Sequence, residues 1–250
     1  MIKHKRLLFL PFLYCLFIGA SQADCSDRRS NYFKTANLKL VKNIYIDRNA
    51  LPQNFGGISG IDYDSTRNIL YMVSDDKSEF GASRFYVSNL DIFVDNIALK
   101  NIDQVNVEVH QNEISDFESI RYDSKRNILF LANEGEHSKF HNTSITLHSL
   151  DGKLISKINT PKELNYDLTG KSGPRANKAI EGVSLSCDGQ SIWYAVEGPL
   201  IEDSSLPTQE RGAFTKIYKQ KLNTSSLQVY EYPLDSIPNK ATGGKFRSDF

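Results

Sequence analysis

Three observations predict an all-β chain of propeller-like build. Three segments repeat one alternating pattern, their starts lie 59 and 63 residues apart, and no stretch shows a convincing amphipathic helical period. The segments are 59–75, SGIDYDSTRNILYMVSD; 118–134, ESIRYDSKRNILFLANE; and 181–197, EGVSLSCDGQSIWYAVE. A period of about 60 residues with roughly four strands matches a long propeller blade. A β-sandwich with coincidental internal similarity is the competing architecture.

Each segment reads as a β-hairpin. Apolar residues alternate in Ile61/Tyr63, Ile120/Tyr122 and Val183/Leu185. A polar turn follows, then a run such as Ile69–Val73 or Ile192–Val196 that is apolar on both faces. Such a strand lies between two packed layers. Further strands are expected at Arg84–Val87, Val105–Val109, Ser144–Leu150 and Lys216–Leu222. The chain ends on Ser248-Asp249-Phe250, and Ser115-Asp116-Phe117 introduces the second segment. By the repeat, another blade is expected after Phe250, so the 250 residues are read as an incomplete, C-terminally truncated ring. The alternative is a small ring closed by Asn37–Ile46.

The N-terminus reads as an export signal. Lys3, Lys5 and Arg6 precede the apolar run Leu7–Ala20, and Ser21-Gln22-Ala23 places small residues before a cut at Asp24. The run is too short to span a bilayer. The expected organisation is a signal peptide at 1–23 and one domain at 24–250, with no stable membrane span after cleavage. Of the three cysteines, Cys15 falls in the signal, leaving Cys25 and Cys187 able to pair in an oxidising compartment. The composition is 40% hydrophobic and 24% charged, with a net charge of zero, so disorder is excluded and no basic excess favours nucleic acid. Oligomeric state is not legible.

The repeat aligns acids as well as apolar residues. Ser59, Glu118 and Glu181 open the three hairpins, and Asp75, Glu134 and Glu197 close them sixteen residues later. A hairpin returns both positions to one end. Circular stacking would then gather Asp75, Asp76, Glu118, Glu134, Glu181 and Glu197 around one mouth, as ligands for a divalent cation such as Ca²⁺, with Glu118, Glu181 and Asp75 as catalytic candidates. Arg84, Arg175, Asn177 and Lys178 are the candidate substrate-binding residues. Structural ion pairs between blades are the plainer account of the same acids. His137 and His141 are spaced for a metal, but EGEHSKFHNTS reads as a loop. Ser59 lacks the G-x-S-x-G frame of a nucleophile elbow, and no phosphate-binding glycine loop occurs.

Gly56-Gly57-Ile58-Ser59-Gly60-Ile61, Val73-Ser74-Asp75-Asp76, Ala82-Ser83-Arg84-Phe85-Tyr86, Asp116-Phe117-Glu118-Ser119-Ile120, Asn177-Lys178-Ala179-Ile180-Glu181-Gly182 and Glu197-Gly198-Pro199-Leu200 together resemble the phytase-like family, over roughly residues 40–250. The resemblance implies a secreted, usually bacterial periplasmic, propeller-like protein acting on a small-molecule ester or phosphoester. It supplies no catalytic mechanism to carry onto these residues. A non-catalytic propeller that grips a ligand or a protein at the same mouth is the alternative function.

Overall fold

Alternation of apolar and polar residues folds into antiparallel meanders. The computed structural model describes residues 45–92, 97–110, 113–224 and 226–238. The expected leader, Cys25, most of the 37–46 segment and the terminal tripeptide lie outside the described residues. Among those described, three four-stranded antiparallel sheets succeed one another. The first holds β1 (Ile58–Asp64), β2 (Ile69–Ser74), β3 (Arg84–Ile92) and β4 (Ile97–Asn106). The second holds β5 (Phe117–Asp123), β6 (Ile128–Asn133), β7 (Ser144–Ser149) and β8 (Leu154–Ile158). The third holds β9 (Ile180–Leu185), β10 (Ser191–Val196), β11 (Ala213–Lys221) and β12 (Leu227–Leu234). The helical elements described are single 3₁₀ turns at Arg48–Ala50, His137–Lys139 and Lys162–Leu164.

Two of the doubly apolar strands, β2 and β6, are buried on both faces, whereas β10 buries Ile192, Tyr194 and Val196 on one face and leaves Trp193 and Ala195 half-buried on the other. Along β6, Leu129 and Leu131 join Tyr71, Val73, Phe85 and Phe117 in a core shared with the first sheet. Phe130 and Ala132, on the opposite face, join Ile180, Ile192, Tyr194 and Tyr218 in a core shared with the third. Period-two side-chain alternation thus lets one strand serve two cores.

The shared YDS-x-RNIL motif is a hairpin turn with its own fastening. Asp64 accepts the N–H groups of Thr66 and Arg67 at 3.0 and 3.3 Å, and Arg67 Nε pairs with its other oxygen at 2.5 Å. Asp123 does the same for Lys125, Arg126 and the Arg126 guanidinium. Asn68 and Asn127 take left-handed φ of 56°, a conformation Asn tolerates. Each amide side chain accepts from the tyrosine that opens the motif, at 2.7 Å for Tyr63 and 2.9 Å for Tyr122.

The first strands of the sheets pack side by side, β1 against β5 and β5 against β9. Asp62 on β1 accepts from Arg121 and from the Tyr122 N–H, both at 2.7 Å. Ser119 Oγ on β5 accepts from the Val183 N–H at 3.1 Å. Close approach needs a missing side chain: a Cβ on Gly60 would lie 2.9 Å from Ser119 Cα. These ties fix how the ends of the three hairpins are juxtaposed.

Candidate functional site

A register slip recurs at one position in all three sheets. Ile58 pairs with Ser74 and Gly60 with Val73, so Ser59 is bulged out. Phe117 pairs with Asn133 and Ser119 with Ala132, bulging Glu118. Ile180 pairs with Val196 and Gly182 with Ala195, bulging Glu181. A bulge re-aims the extra residue's side chain. Pairing resumes beyond it, where Asp75, Glu134 and Glu197 donate their N–H groups to Gly57, Asp116 and Ala179 at 2.9, 2.8 and 2.9 Å. Bulged residue and closing acid therefore share one end of each hairpin. In the first sheet the bulged residue is Ser59, whose hydroxyl donates to the Phe117 carbonyl at 2.6 Å.

This end carries a cavity of about 1160 Å³. Asp75, Asp76, Glu118, Glu181, Glu197, Arg84, Asn177 and Lys178 line it, together with Asp116, Lys77 and Glu136. Glu134 lies beneath, 1% exposed. Two groups of carboxylates meet there and share it: Asp116, Glu118 and Glu134, and Glu134, Glu181 and Glu197, with one oxygen per residue within 4.8 Å of the others in its group.

Partners are unevenly distributed over these acids. Glu134 Oε1 accepts the Ala179 N–H at 2.7 Å, and Tyr166 donates to the Glu134 carbonyl at 3.0 Å. Lys178 pairs with Glu197 at 2.8 Å. Lys77 stands 2.7 Å from Asp116 Oδ2 and 3.6 Å from Glu136; the Asp116 contact is an ion pair outside hydrogen-bond geometry. Among the described residues, the side chains of Glu118 and Glu181 have neither a hydrogen bond nor an ion pair.

Electrostatics follow from that distribution. Burial, and then repulsion from Glu181, Asp116, Glu134 and Asp75, pushes Glu118 up to about 8. Burial with neighbouring charge raises Glu181 and Glu134 each to about 7, the Ala179 N–H opposing the shift at Glu134. Asp116 is raised by burial in spite of Lys77. Near neutral pH Glu118, and in part Glu134 and Glu181, hold protons or need a cation that replaces them.

The remaining candidates divide by what already holds them. Asp75 is exposed and stands outside both carboxylate groups. Arg84 is 2% exposed and pairs with Asp76 at 2.6 Å while donating to Tyr86 Oη at 2.6 Å and the Asn54 carbonyl at 2.9 Å. Arg175 donates to the carbonyls of Pro199 and Ser204 and does not line the cavity. His141 Nδ1 accepts the Ile114 N–H at 3.0 Å and His137 packs edge-on against Tyr166, so each ring has a structural neighbour. Cys187 is disulfide-bonded.

Sequence reasoning did not single out Asp116, Lys77, Glu136 or Tyr166. Asp116 had a signal, since Ser-Asp-Phe introduces the second hairpin two residues before Glu118. Lys77 and Glu136 follow the closing acids by two residues in the equivalent loops. Tyr166 lies in the β8–β9 connection, where nothing in the repeat marks it.

A comparison with curated protein sequences gives no match. Among solved structures, the chain is similar to a protein of Bacteroides uniformis provisionally assigned as a 6-phosphogluconolactonase, at 13% identity and a TM-score of 0.37, covering 75% of this chain and 45% of that one. It is also similar to the periplasmic gluconolactonase of Pseudomonas aeruginosa, at 14% identity and a TM-score of 0.37, covering 74% of this chain and 59% of that one. The chain thus spans about half the length of these proteins. Among the described residues, no helix is long and apolar enough to cross a membrane. Residues 53–249 match the model of the Phytase-like family, described as esterase-like activity of phytase, and the chain belongs to that family.

Proposed function

We propose that the chain is an exported hydrolase of small-molecule esters or phosphoesters, working at the carboxylate cleft with a divalent cation, of which Ca²⁺ is the candidate. The observation that carries the reading is the pair of carboxylate groups joined through Glu134, with Glu118 and Glu181 left without protein partners. An all-oxygen donor set of this kind suits a hard cation. The sheets are read as successive propeller blades, with β1, β5 and β9 nearest the axis. The signal-like residues 1–23 support export, with the periplasm as the proposed compartment.

A bound cation would supply a Lewis acid for the substrate's ester or phosphoryl oxygen. Asp116, Glu118, Glu134, Glu181 and Glu197 would hold it, with Asp75 and Asp76 contributing charge at the rim. Glu118 borders the cavity, and with its proton displaced by the cation it would be a carboxylate placed to take a proton from the attacking water. Glu181 is the second such carboxyl. Lys178 and Asn177 face the cavity and are placed to bind the substrate's anionic or carbonyl oxygen. Arg84 and Arg175, committed to Asp76 and to backbone carbonyls, position the loops that carry them.

One observation favours a second reading. Lys77 and Lys178 already neutralise Asp116 and Glu197, so the mouth can also serve as a ligand-binding surface without chemistry. Hydrolysis of a panel of nitrophenyl phosphates and carboxylic esters by the purified chain, with Ca²⁺ and with chelator, separates the two. The hydrolase reading expects Ca²⁺-dependent turnover that falls about 100-fold or more in Glu118→Gln and in Glu181→Gln. No turnover with a Ca²⁺-dependent rise in Tm leaves the binding module; no rise in Tm removes the cation.

A further inference from the structure

We propose that Phe80 is the specificity wall of the cleft and that the site takes esters or phosphoesters bearing an aromatic group; this rests on the reading of the cleft as a substrate site. Phe80 lines the cavity and is 74% exposed. Its ring has no aromatic partner among the described residues. Phe55, the other cavity aromatic, is packed on Tyr86 with ring centroids 4.7 Å apart.

The turn that presents Phe80 is held from beneath. Asp76 accepts the N–H groups of Glu79 and Phe80 at 2.7 and 3.2 Å, and the buried Arg84 holds Asp76. The backbone under Phe80 is therefore fixed while its side chain stays in water. An apolar ring presented from a fixed backbone at a pocket wall gains by burying its face against a ligand, and offset or edge-on ring pairing adds to that gain.

The neighbouring sheet gives an internal contrast. With Gly135 counted as one extra residue after the closing acid, Glu136-His137-Ser138-Lys139-Phe140 matches Asp76-Lys77-Ser78-Glu79-Phe80 in the equivalent loop, yet Phe140 does not line the cavity and has His137 beside it, ring centroids 6.4 Å apart. The cavity's 1160 Å³ also exceeds the ~300–1,000 Å³ common for small-ligand sites, leaving room beside the carboxylates for a substituent larger than the reacting group.

The test uses the full chain, with and without Ca²⁺, and two non-hydrolysable probes, phenylphosphonate and methylphosphonate, titrated calorimetrically. The expected result is tighter binding of phenylphosphonate. Phe80→Ala should weaken it about tenfold, equivalent to about 1.4 kcal/mol, and leave methylphosphonate unchanged. Phe80→Trp should restore the preference. Equal binding of the probes, equal loss of both in Phe80→Ala, or no binding of either overturns the proposal. Phenyl preference without hydrolysis of any ester keeps the aromatic wall and removes the hydrolase reading; hydrolysis without phenyl preference does the reverse.

Discussion

Replacing Glu118 by Gln should stabilise the protein at alkaline pH when no divalent cation is present. Glu118 sits on a bulge among Glu181, Asp116 and Glu134 and has no protein partner, so its charge is a cost of the folded state. Its folded pKa of about 8 lies above the ordinary 4.5, so the folded protein binds the proton more tightly than the unfolded chain does. Stability from this group is fully present below about pH 4.5 and is lost as pH rises through about 8. The full displacement corresponds to about 5 kcal/mol. The cavity admits water, and screening reduces the expected share to about 2 kcal/mol. For a domain of this size that is a rise in Tm of about 4–8 °C. Thermal unfolding in chelator at pH 9 and pH 5 should show the gain at pH 9 and little change at pH 5. An unchanged or lowered Tm at pH 9 would refute the claim that Glu118 is a strained, unescorted charge.

Three other outcomes follow from local contacts. Gly60→Ala should destabilise by about 1–3 kcal/mol in urea titration, because its Cβ would press on the Ser119 backbone; an unchanged midpoint would deny the close approach of β1 and β5. Asp62→Ala should cost about 1–3 kcal/mol by stripping the Tyr122 N–H and Arg121 of their acceptor, read from the same titration. His148, wholly buried with Nδ1 donating to the Gly152 carbonyl and Nε2 accepting from Thr146, has its pKa lowered to about 4 by burial. Its contribution is present above about pH 6.5 and lost as pH falls through about 4, so its imidazole signals in NMR should stay in the neutral form down to about pH 5.

Much of the frame was written in periodicity. Alternation placed the hairpins, and the doubly apolar runs of β2 and β6 became strands buried on both faces, while that of β10 is buried on one. The sixteen-residue interval between Glu118 and Glu134, and between Glu181 and Glu197, carried the central feature of the site, because a hairpin returns two such positions to one end. The bulges were not legible. A register slip is settled by tertiary packing between neighbouring first strands, and its trace in the sequence is only the small residue after each bulge: Gly60, Ser119 or Gly182. The contacts of the arginines were hidden for a similar reason. Arg84 and Arg175 have the right chemistry for a substrate anion, yet their partners, Asn54, Asp76, Pro199 and Ser204, come from loops whose approach no local pattern encodes.

The central claim is that bulged carboxylates from neighbouring sheets converge with Glu134 into one cation-holding cleft. Calorimetric titration of Ca²⁺ into the unmodified chain, Glu134→Gln and a Glu118→Gln/Glu181→Gln double variant tests it directly. The account predicts saturable binding to the unmodified chain, and loss of that binding in both variants while each keeps its fold by circular dichroism. Unaltered Ca²⁺ affinity in the double variant, or no binding to the unmodified chain at neutral pH, would contradict it.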